Sequence, residues 1–232
     1  MPDVEHGNVV SHAGPASRPA RFFTATVLLT LVACVLALLL FGVLSEEVFE
    51  GDAARFDEQV RSTVHSFATP EVTTAMKLVS FVGSPVFLTP LFVVIFAAFF
   101  LTGWRRAALW LAIAMAGATL LDVALKLSFH RLRPSPFFGN APHSYSYPSG
   151  HALGALSFYG VLAGLLAHRI RSTAAKVAIW SAAVLLIAAI GISRVYLGVH
   201  YPTDVLAGYL VAAVWVSGLM FLDRLRMHRR GA

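Results

Sequence analysis

Six apolar runs constrain this chain more than any other feature of its sequence. Residues 22–44, 85–101, 107–127, 149–166, 174–192 and 202–222 carry almost no charge, and each approaches or exceeds the length a helix needs to cross a hydrocarbon layer of about 30 Å. A backbone inside lipid must satisfy its own N–H and C=O groups, so such runs predict helices and not an open sheet. Composition agrees: 57% of the 232 residues are hydrophobic and 13% are charged, against roughly 25% charged in an average soluble domain. The expected fold class is all-α, a polytopic membrane protein with six transmembrane helices. One unit spans residues 21–222, between a disordered tail at 1–20 and a basic tail at 223–232.

The lone cysteine, Cys34, rules out an intrachain disulfide and any multi-cysteine metal site. Leu31-Val32-Ala33-Cys34 has the form of a lipoprotein cleavage box, but the chain stays apolar through Leu44, where a mature lipoprotein turns polar. The same run is too long for a signal-peptide core of roughly 7–15 residues and reads as a span that stays attached.

Between the spans, the acidic segment from Ser45 to Asp57 cannot enter the bilayer. Phe56, Val60, Val64 and Phe67 then recur at helical spacing, with Asp57, Glu58, Arg61 and His65 opposite. That pattern fits an amphipathic helix in the membrane interface and, equally, an ordinary packed loop helix. Thr69-Pro70 and Ser84-Pro85 each read as an N-cap followed by proline at the first helical position. A short helix from Pro70 therefore precedes the second span, and Gly83 forms the bend. The polar loop 128–150, rich in Pro, Arg, His and Tyr, is longer than a simple connection requires and is expected to be functional.

Basic residues set the orientation. Arg18, Arg21, Arg105, Arg106, His168, Arg169, Arg171, Lys176 and the run Arg224 to Arg230 all fall on one side, expected to be the cytoplasm, with both termini there. The acidic loop falls on the other side, together with Lys126, Arg131, Arg133 and Arg194, which break the rule and are better explained as a binding site. The net charge of +6 reads as membrane orientation and contact with anionic lipid, and gives no argument for nucleic acid. No eukaryotic targeting signal is visible, so a bacterial plasma membrane is expected. Gly117, Gly154 and Gly160 read as packing residues within the bundle and not as a dimer seam.

Three segments meet on that outer side. Ser193 to Asp204 carries Arg194, His200 and Asp204, groups that cost several kcal/mol in a bilayer unless compensated. With a helix starting near Pro202, His200 and Asp204 stand one turn apart on one face. A carboxylate there can hold one ring N–H and leave the other nitrogen as a base or nucleophile. Taken alone, the trio also fits a basic loop with a capping Asp. In Pro148-Ser149-Gly150-His151, Ser149 is a natural N-cap, and Gly150 leaves room for an anion at the exposed N–H groups of a helix start. The plain alternative is a capped helix start with an interfacial histidine. Lys126 and Arg133, in the first segment, also fit snorkelling charges at a helix end. Asp122, one turn before Lys126, reads as its intrahelical partner. His130, Arg131 and His143 read as loop residues touching water or headgroup phosphate. Phe129, Phe137, Phe138, Tyr145 and Tyr147 read as interfacial aromatics, some of them along the path of a lipid chain.

In order and spacing, Lys126-x6-Arg133-Pro134, Pro148-Ser149-Gly150-His151 and Ser193-Arg194-x5-His200-x3-Asp204 resemble the three-part signature of the type 2 phosphatidic acid phosphatases. These are lipid phosphate phosphatases related to vanadium haloperoxidases. The resemblance extends to the six-span layout. It implies that His200 is the nucleophile that becomes phosphohistidine, that Asp204 orients it, and that His151 protonates the departing oxygen. Lys126, Arg133, Ser149, Gly150 and Arg194 would then form the phosphate cradle. Fixed cations and N–H groups can supply the charge stabilisation of phosphoryl transfer without a metal, and no carboxylate cluster suited to magnesium is visible, so no metal and no cofactor is expected. The implied substrates are phosphatidic acid, phosphatidylglycerol phosphate or undecaprenyl diphosphate. The alternatives are a lipid phosphotransferase using the same phosphohistidine and a non-catalytic lipid-phosphate transporter or binding protein.

Overall fold

The computed structural model describes residues 18–140 and 143–231. The tail expected at 1–20 therefore lies outside the described residues up to 17, and helix begins at Arg18. The described residues form helices α1 (Arg18–Glu50), α2 (Ala53–Ser66), α3 (Pro70–Val82), α4 (Pro85–Leu101), α5 (Arg105–Phe129), α6 (Gly150–Ala155), α7 (Val161–Arg169), α8 (Thr173–Tyr196) and α9 (Pro202–Gly231), with no strand among them. A π-helical turn, Leu156–Gly160, joins α6 to α7 without a break, so Gly150–Arg169 is one span. Helix α9 does not stop where its apolar run ends but continues through the basic segment.

Among the described residues five helices are long and apolar enough to cross a membrane, and the count is six if α3 and α4, bent by 46°, are taken as one span. The expected second span, α4 alone, has 17 residues, which at about 1.5 Å per residue falls short of the hydrocarbon layer. Helix α3 supplies the missing length. The caps at this bend are those expected: the Thr69 hydroxyl accepts from the Val72 N–H and the Ser84 hydroxyl from the Phe87 N–H, with Pro70 and Pro85 opening each helix. Gly83 sits at the bend because a Cβ there would come 2.3 Å from the Ile190 side chain of α8.

Helix α1 runs alongside α9 and leaves Leu36, Leu38, Leu39 and Leu40 exposed, as a lipid-facing helix does. The interior is built from small and aromatic residues. Leu88, Phe99, Ala108, Leu111 and Phe158 pack α4, α5 and the π turn together, and Ala118, Leu153, Val211 and Ala212 join α5, α6 and α9. Gly117 and Gly154 pack within the bundle as expected, against Trp215 and Leu88.

The amphipathic helix between the first two spans is α2, but its buried stripe is partly polar. Ala53, Asp57 and Arg61 are buried there, while Phe56 and Phe67 are exposed. Two charges four residues apart face the protein because partners wait for them, and those partners belong to the site.

Candidate active site

Four helix termini and α2 converge at one end of the bundle: the C-termini of α5 and α8 and the N-termini of α6 and α9. The segment after α5 threads between them. His130 ends α5 in the left-handed conformation (φ 50°), its N–H donating to the Lys126 carbonyl at 3.1 Å. Side chains then alternate: Arg131 and Arg133 turn inward, while Leu132 is 78% exposed. Ser146, fully buried, ties the strand-like stretch down by donating its N–H to the Arg131 carbonyl at 2.8 Å. Further on, the Phe137 N–H donates to the Leu197 carbonyl at 3.1 Å. Gly198 permits that approach, having φ +74° and no space for a Cβ beside the Phe137 backbone.

His200 is buried, and both ring nitrogens are engaged. Nδ1 faces Asp204 Oδ2 at 3.3 Å, and Nε2 faces Arg133 Nη1 at 2.9 Å. A guanidinium only donates, so Nε2 is the acceptor and the ring proton sits on Nδ1. The imidazole is thus the tautomer in which a lone pair points into the cationic cluster. Burial pushes the His200 pKa down to about 4, with Asp204 pulling it up and Arg133 and Arg194 adding to the fall. At neutral pH the ring is uncharged.

Arg133 is held by the backbone carbonyls of Val199, Ser144 and Tyr145 and by the Ser144 hydroxyl. Among the described residues it has no direct carboxylate contact. Burial holds its pKa below the ordinary guanidinium value, and Asp204 and Asp122 offset this only in part. Arg194, also buried, donates to the Ser80 hydroxyl of α3 and leaves its Nε without a partner. Lys126 Nζ binds Asp122 Oδ2 at 2.8 Å, the intrahelical pair expected. Direct contacts link His200 to Asp204 and Arg133, the Ser149 N–H to the Asp204 carbonyl, and Lys126 to Asp122, which lies against Gly150; His151 stands in the first turn of α6 and Arg194 in the last turn of α8.

Two details differ from expectation. Ser149 does not cap its helix: its hydroxyl is buried with no partner, while its N–H donates to the Asp204 carbonyl at 2.8 Å. Gly150 leaves room for an anion, but the anion beside it is the chain's own. A Cβ at 150 would stand 2.7 Å from Asp122 Oδ1, an oxygen that is buried without a partner. Asp122 is thus both the partner of Lys126 and a wall of the site.

Several participants escaped the sequence reading. Arg131 is not a water-facing loop residue. Its Nη2 meets Asp57 Oδ2 at 2.7 Å and its Nη1 meets Asp204 Oδ1 at 2.6 Å. Asp57 in turn accepts the Thr203 N–H at 3.0 Å and the Thr203 hydroxyl at 2.7 Å, capping α9 from another helix. The usable signal was in α2, where Asp57 and Arg61 lie one turn apart on one face. The aromatics are packing residues as well: Tyr147 is fully buried, its hydroxyl paired with Ser45 at 2.8 Å, and Phe138 stacks on Tyr196 at 5.7 Å. Burial pushes the Tyr147 hydroxyl up to about 12.

The PAP2 superfamily model matches residues 107–226, the stretch that holds all three motifs. Phosphatidylglycerophosphatase B of Bacillus subtilis is 31% identical over 174 residues, covering 74% of this chain and 85% of its own length. An undecaprenyl-diphosphatase of Sulfolobus acidocaldarius is 35% identical over 121 residues, 50% of this chain and 54% of its own. Among solved structures, the transmembrane PAP2 type phosphatidylglycerolphosphate phosphatase from Bacillus subtilis superposes with a TM-score of 0.76 at 28% identity, over 82% of this chain and 95% of that one.

Proposed function

This chain belongs to the PAP2 superfamily and is a multi-pass membrane lipid phosphatase, and on that premise we propose that it hydrolyses a lipid phosphomonoester or diphosphate through phosphohistidine at His200. The observation that carries this reading is the His200 ring, whose Nδ1–H is directed at Asp204 and whose Nε2 lone pair is aimed into a cluster of fixed cations. Such a cluster suits the equatorial oxygens of a phosphoryl group in transfer.

In the proposed reaction the phosphate displaces Arg133 from Nε2 and is held by Arg133, Arg194 and Lys126, with the Ser149 hydroxyl donating to it. The Nε2 lone pair attacks phosphorus, an N–P bond forms, and the P–O bond to the lipid breaks. His151 takes up the proton carried by the monoanionic phosphate ester and passes it to the departing oxygen, while Asp204 stabilises the positive charge on the phosphorylated ring. His151, now neutral, takes a proton from water as that water attacks phosphorus. The N–P bond breaks and inorganic phosphate leaves.

The cations of the cradle are the protein's own. These fixed cations would supply the charge stabilisation of phosphoryl transfer without a metal. Phosphatidylglycerol phosphate is the first substrate to test, because the relative alike over most of its length bears that activity in its name. Undecaprenyl diphosphate is the second. The site end of the bundle is assigned to the outer face of a bacterial plasma membrane, since the opposite end carries the exposed arginines Arg105, Arg169 and Arg171.

The test is phosphate release by detergent-purified protein from both lipids and from phosphatidic acid, with EDTA throughout and His200→Ala alongside. Release that disappears in the variant, with acid-labile radiolabel trapped on the wild-type protein, is the expected result. Labelled acceptor lipid without matching free phosphate would identify a phosphotransferase instead, and activity abolished by EDTA would overturn metal independence.

A further inference from the structure

Two arginines enter the site from one short stretch, and they are wired differently. Arg133 touches His200 itself. Arg131 touches neither His200 nor the cationic cluster; both its terminal nitrogens are committed to Asp57, Asp204 and the Thr203 hydroxyl. Its guanidinium lies over the Tyr201 ring, 4.2 Å from the centroid, and its side chain is only 16% exposed. Three of its five N–H donors are taken, and they are the ones aimed at the two carboxylates and the Thr203 hydroxyl.

All four carboxylate oxygens around Arg131 are accounted for. Asp57 Oδ1 takes the Thr203 N–H, and Oδ2 takes the Thr203 hydroxyl and Arg131 Nη2. Asp204 Oδ1 takes Arg131 Nη1. Asp204 Oδ2, fixed further by the Tyr201 N–H at 2.8 Å, is thereby left to face His200 Nδ1. The Thr203 hydroxyl donates to Asp57 and accepts from Arg131, so its one proton is placed unambiguously. A carboxylate with both ends tethered cannot rotate away from the imidazole. Removing the clamp leaves Asp204 free to turn and leaves its charge to be neutralised at the expense of its pull on His200.

We propose that Arg131, held in place by Asp57 of α2, is a positioning residue for phosphoryl transfer: it fixes Asp204, and through Asp204 the ring of His200. Burial alone would lower the Arg131 pKa, but Asp204 and Asp57 hold it above its ordinary value, so the clamp stays charged throughout the working range. Arg131 and Asp57 act on the chemical step and not on phosphate binding. This inference rests on His200 being the nucleophile.

The experiment compares full-length wild type, Arg131→Lys, Arg131→Ala, Asp57→Asn and His200→Ala in detergent, with monodispersity and melting temperature recorded for each. Arg131→Lys is included because it keeps a cation between the two carboxylates and so preserves the fold, while one ammonium cannot reproduce the two-pronged bridge. The expected result is a fall in kcat of about 10- to 100-fold with KM within about twofold, the same fall in the single-turnover rate of His200 phosphorylation, and partial recovery of Arg131→Ala by millimolar guanidinium. Asp57→Asn should lower kcat in the same way, and combining it with Arg131→Lys should cost less than the two separate losses multiplied. A rise in KM at unchanged kcat would make Arg131 a phosphate ligand and overturn the proposal, as would unchanged kinetics in Arg131→Lys and Asp57→Asn. Activity surviving in His200→Ala would instead overturn the nucleophile assignment, which separates the two failures.

Discussion

His200 has no spare hydrogen-bonding capacity: one nitrogen is bound to a carboxylate and the other to a guanidinium. Its charge state follows from that enclosure, and two pH effects follow from its charge state. The quotient kcat/KM reports the free enzyme, so the limb due to His200 should lie near pH 4, activity being lost as pH falls through it and Nε2 is protonated. Measured with both phosphatidic acid and undecaprenyl diphosphate, a limb owed to the substrate shifts between lipids and one owed to His200 does not. A substrate-independent limb centred near 6.5 would contradict the enclosed ring. Stability should respond in the same window. Above about pH 6.5, the ordinary imidazole value, the ring is neutral whether folded or unfolded. Between that value and about 4 only the unfolded chain takes up the proton, so stability falls as pH falls. Melting curves of His200→Gln should be flatter over that window than those of wild type. Gly150 offers a third test. An alanine Cβ would meet Asp122 Oδ1 at 2.7 Å and push it, together with Lys126, out of position. Misplacement of about 1 Å can cost about 100-fold in rate, so Gly150→Ala should lose activity by an amount approaching that, with the melting temperature little changed.

At the level of elements, α2 is part of the catalytic assembly, although it touches neither His200 nor His151 through any hydrogen bond. It caps α9 through Asp57 and anchors Arg131, and its Arg61 donates to the Ser135 carbonyl at 2.9 Å and lies over Phe137. The sequence made the spans legible because lipid demands an uninterrupted apolar run, and it made the caps at Thr69 and Ser84 legible because a cap is local. The inward face of α2 was not legible, because Asp57 lies 146 residues from Thr203 and nothing in a helical period announces a partner that distant. The same reason hid Arg131, whose neighbours in sequence do not tell which of two inward arginines meets phosphate. Helix α9 sets the register of the site from behind. A Cβ at Gly208 would come 2.6 Å from the Ser149 carbonyl, a backbone atom that cannot yield without moving the first turn of α6, whereas one at Gly117 would meet the Trp215 ring, away from the site. Gly208→Ala should therefore cut kcat by about 10- to 100-fold. Gly117→Ala should instead cost about 1–3 kcal/mol of stability by overpacking and leave kcat nearly unchanged in the surviving folded fraction. Thermal melts beside initial rates separate the two.

Across the whole molecule the two ends carry cations in different states, and this bears on which end faces out. At the site end, Arg131 is tied to Asp57 and Asp204, Lys126 to Asp122 and Arg61 to Glu58, while Arg194 is buried, Arg133 is half-buried and Arg55 of α2 is exposed. Charges neutralised by neighbours, or drawn inside the protein, give little retention signal during insertion. At the other end Arg105, Arg169 and Arg171 are exposed, and Arg169 lies over the Trp104 ring at 4.0 Å from the centroid, an aromatic and basic pairing typical of a membrane boundary. The basic residues that appeared to break the orientation rule are thus the ones the fold withdraws from it. The two ends can be told apart in intact cells, because Cys34 is the single cysteine and can be replaced by serine. In that background Leu132→Cys marks the site end, at a position 78% exposed and pointing away from both arginines. Thr102→Cys marks the opposite end, at an exposed turn. A membrane-impermeant maleimide added to whole cells should label Leu132→Cys and spare Thr102→Cys until the membrane is permeabilised. The reverse pattern would place the site in the cytoplasm, where it would meet lipid phosphates on the leaflet in which they are made.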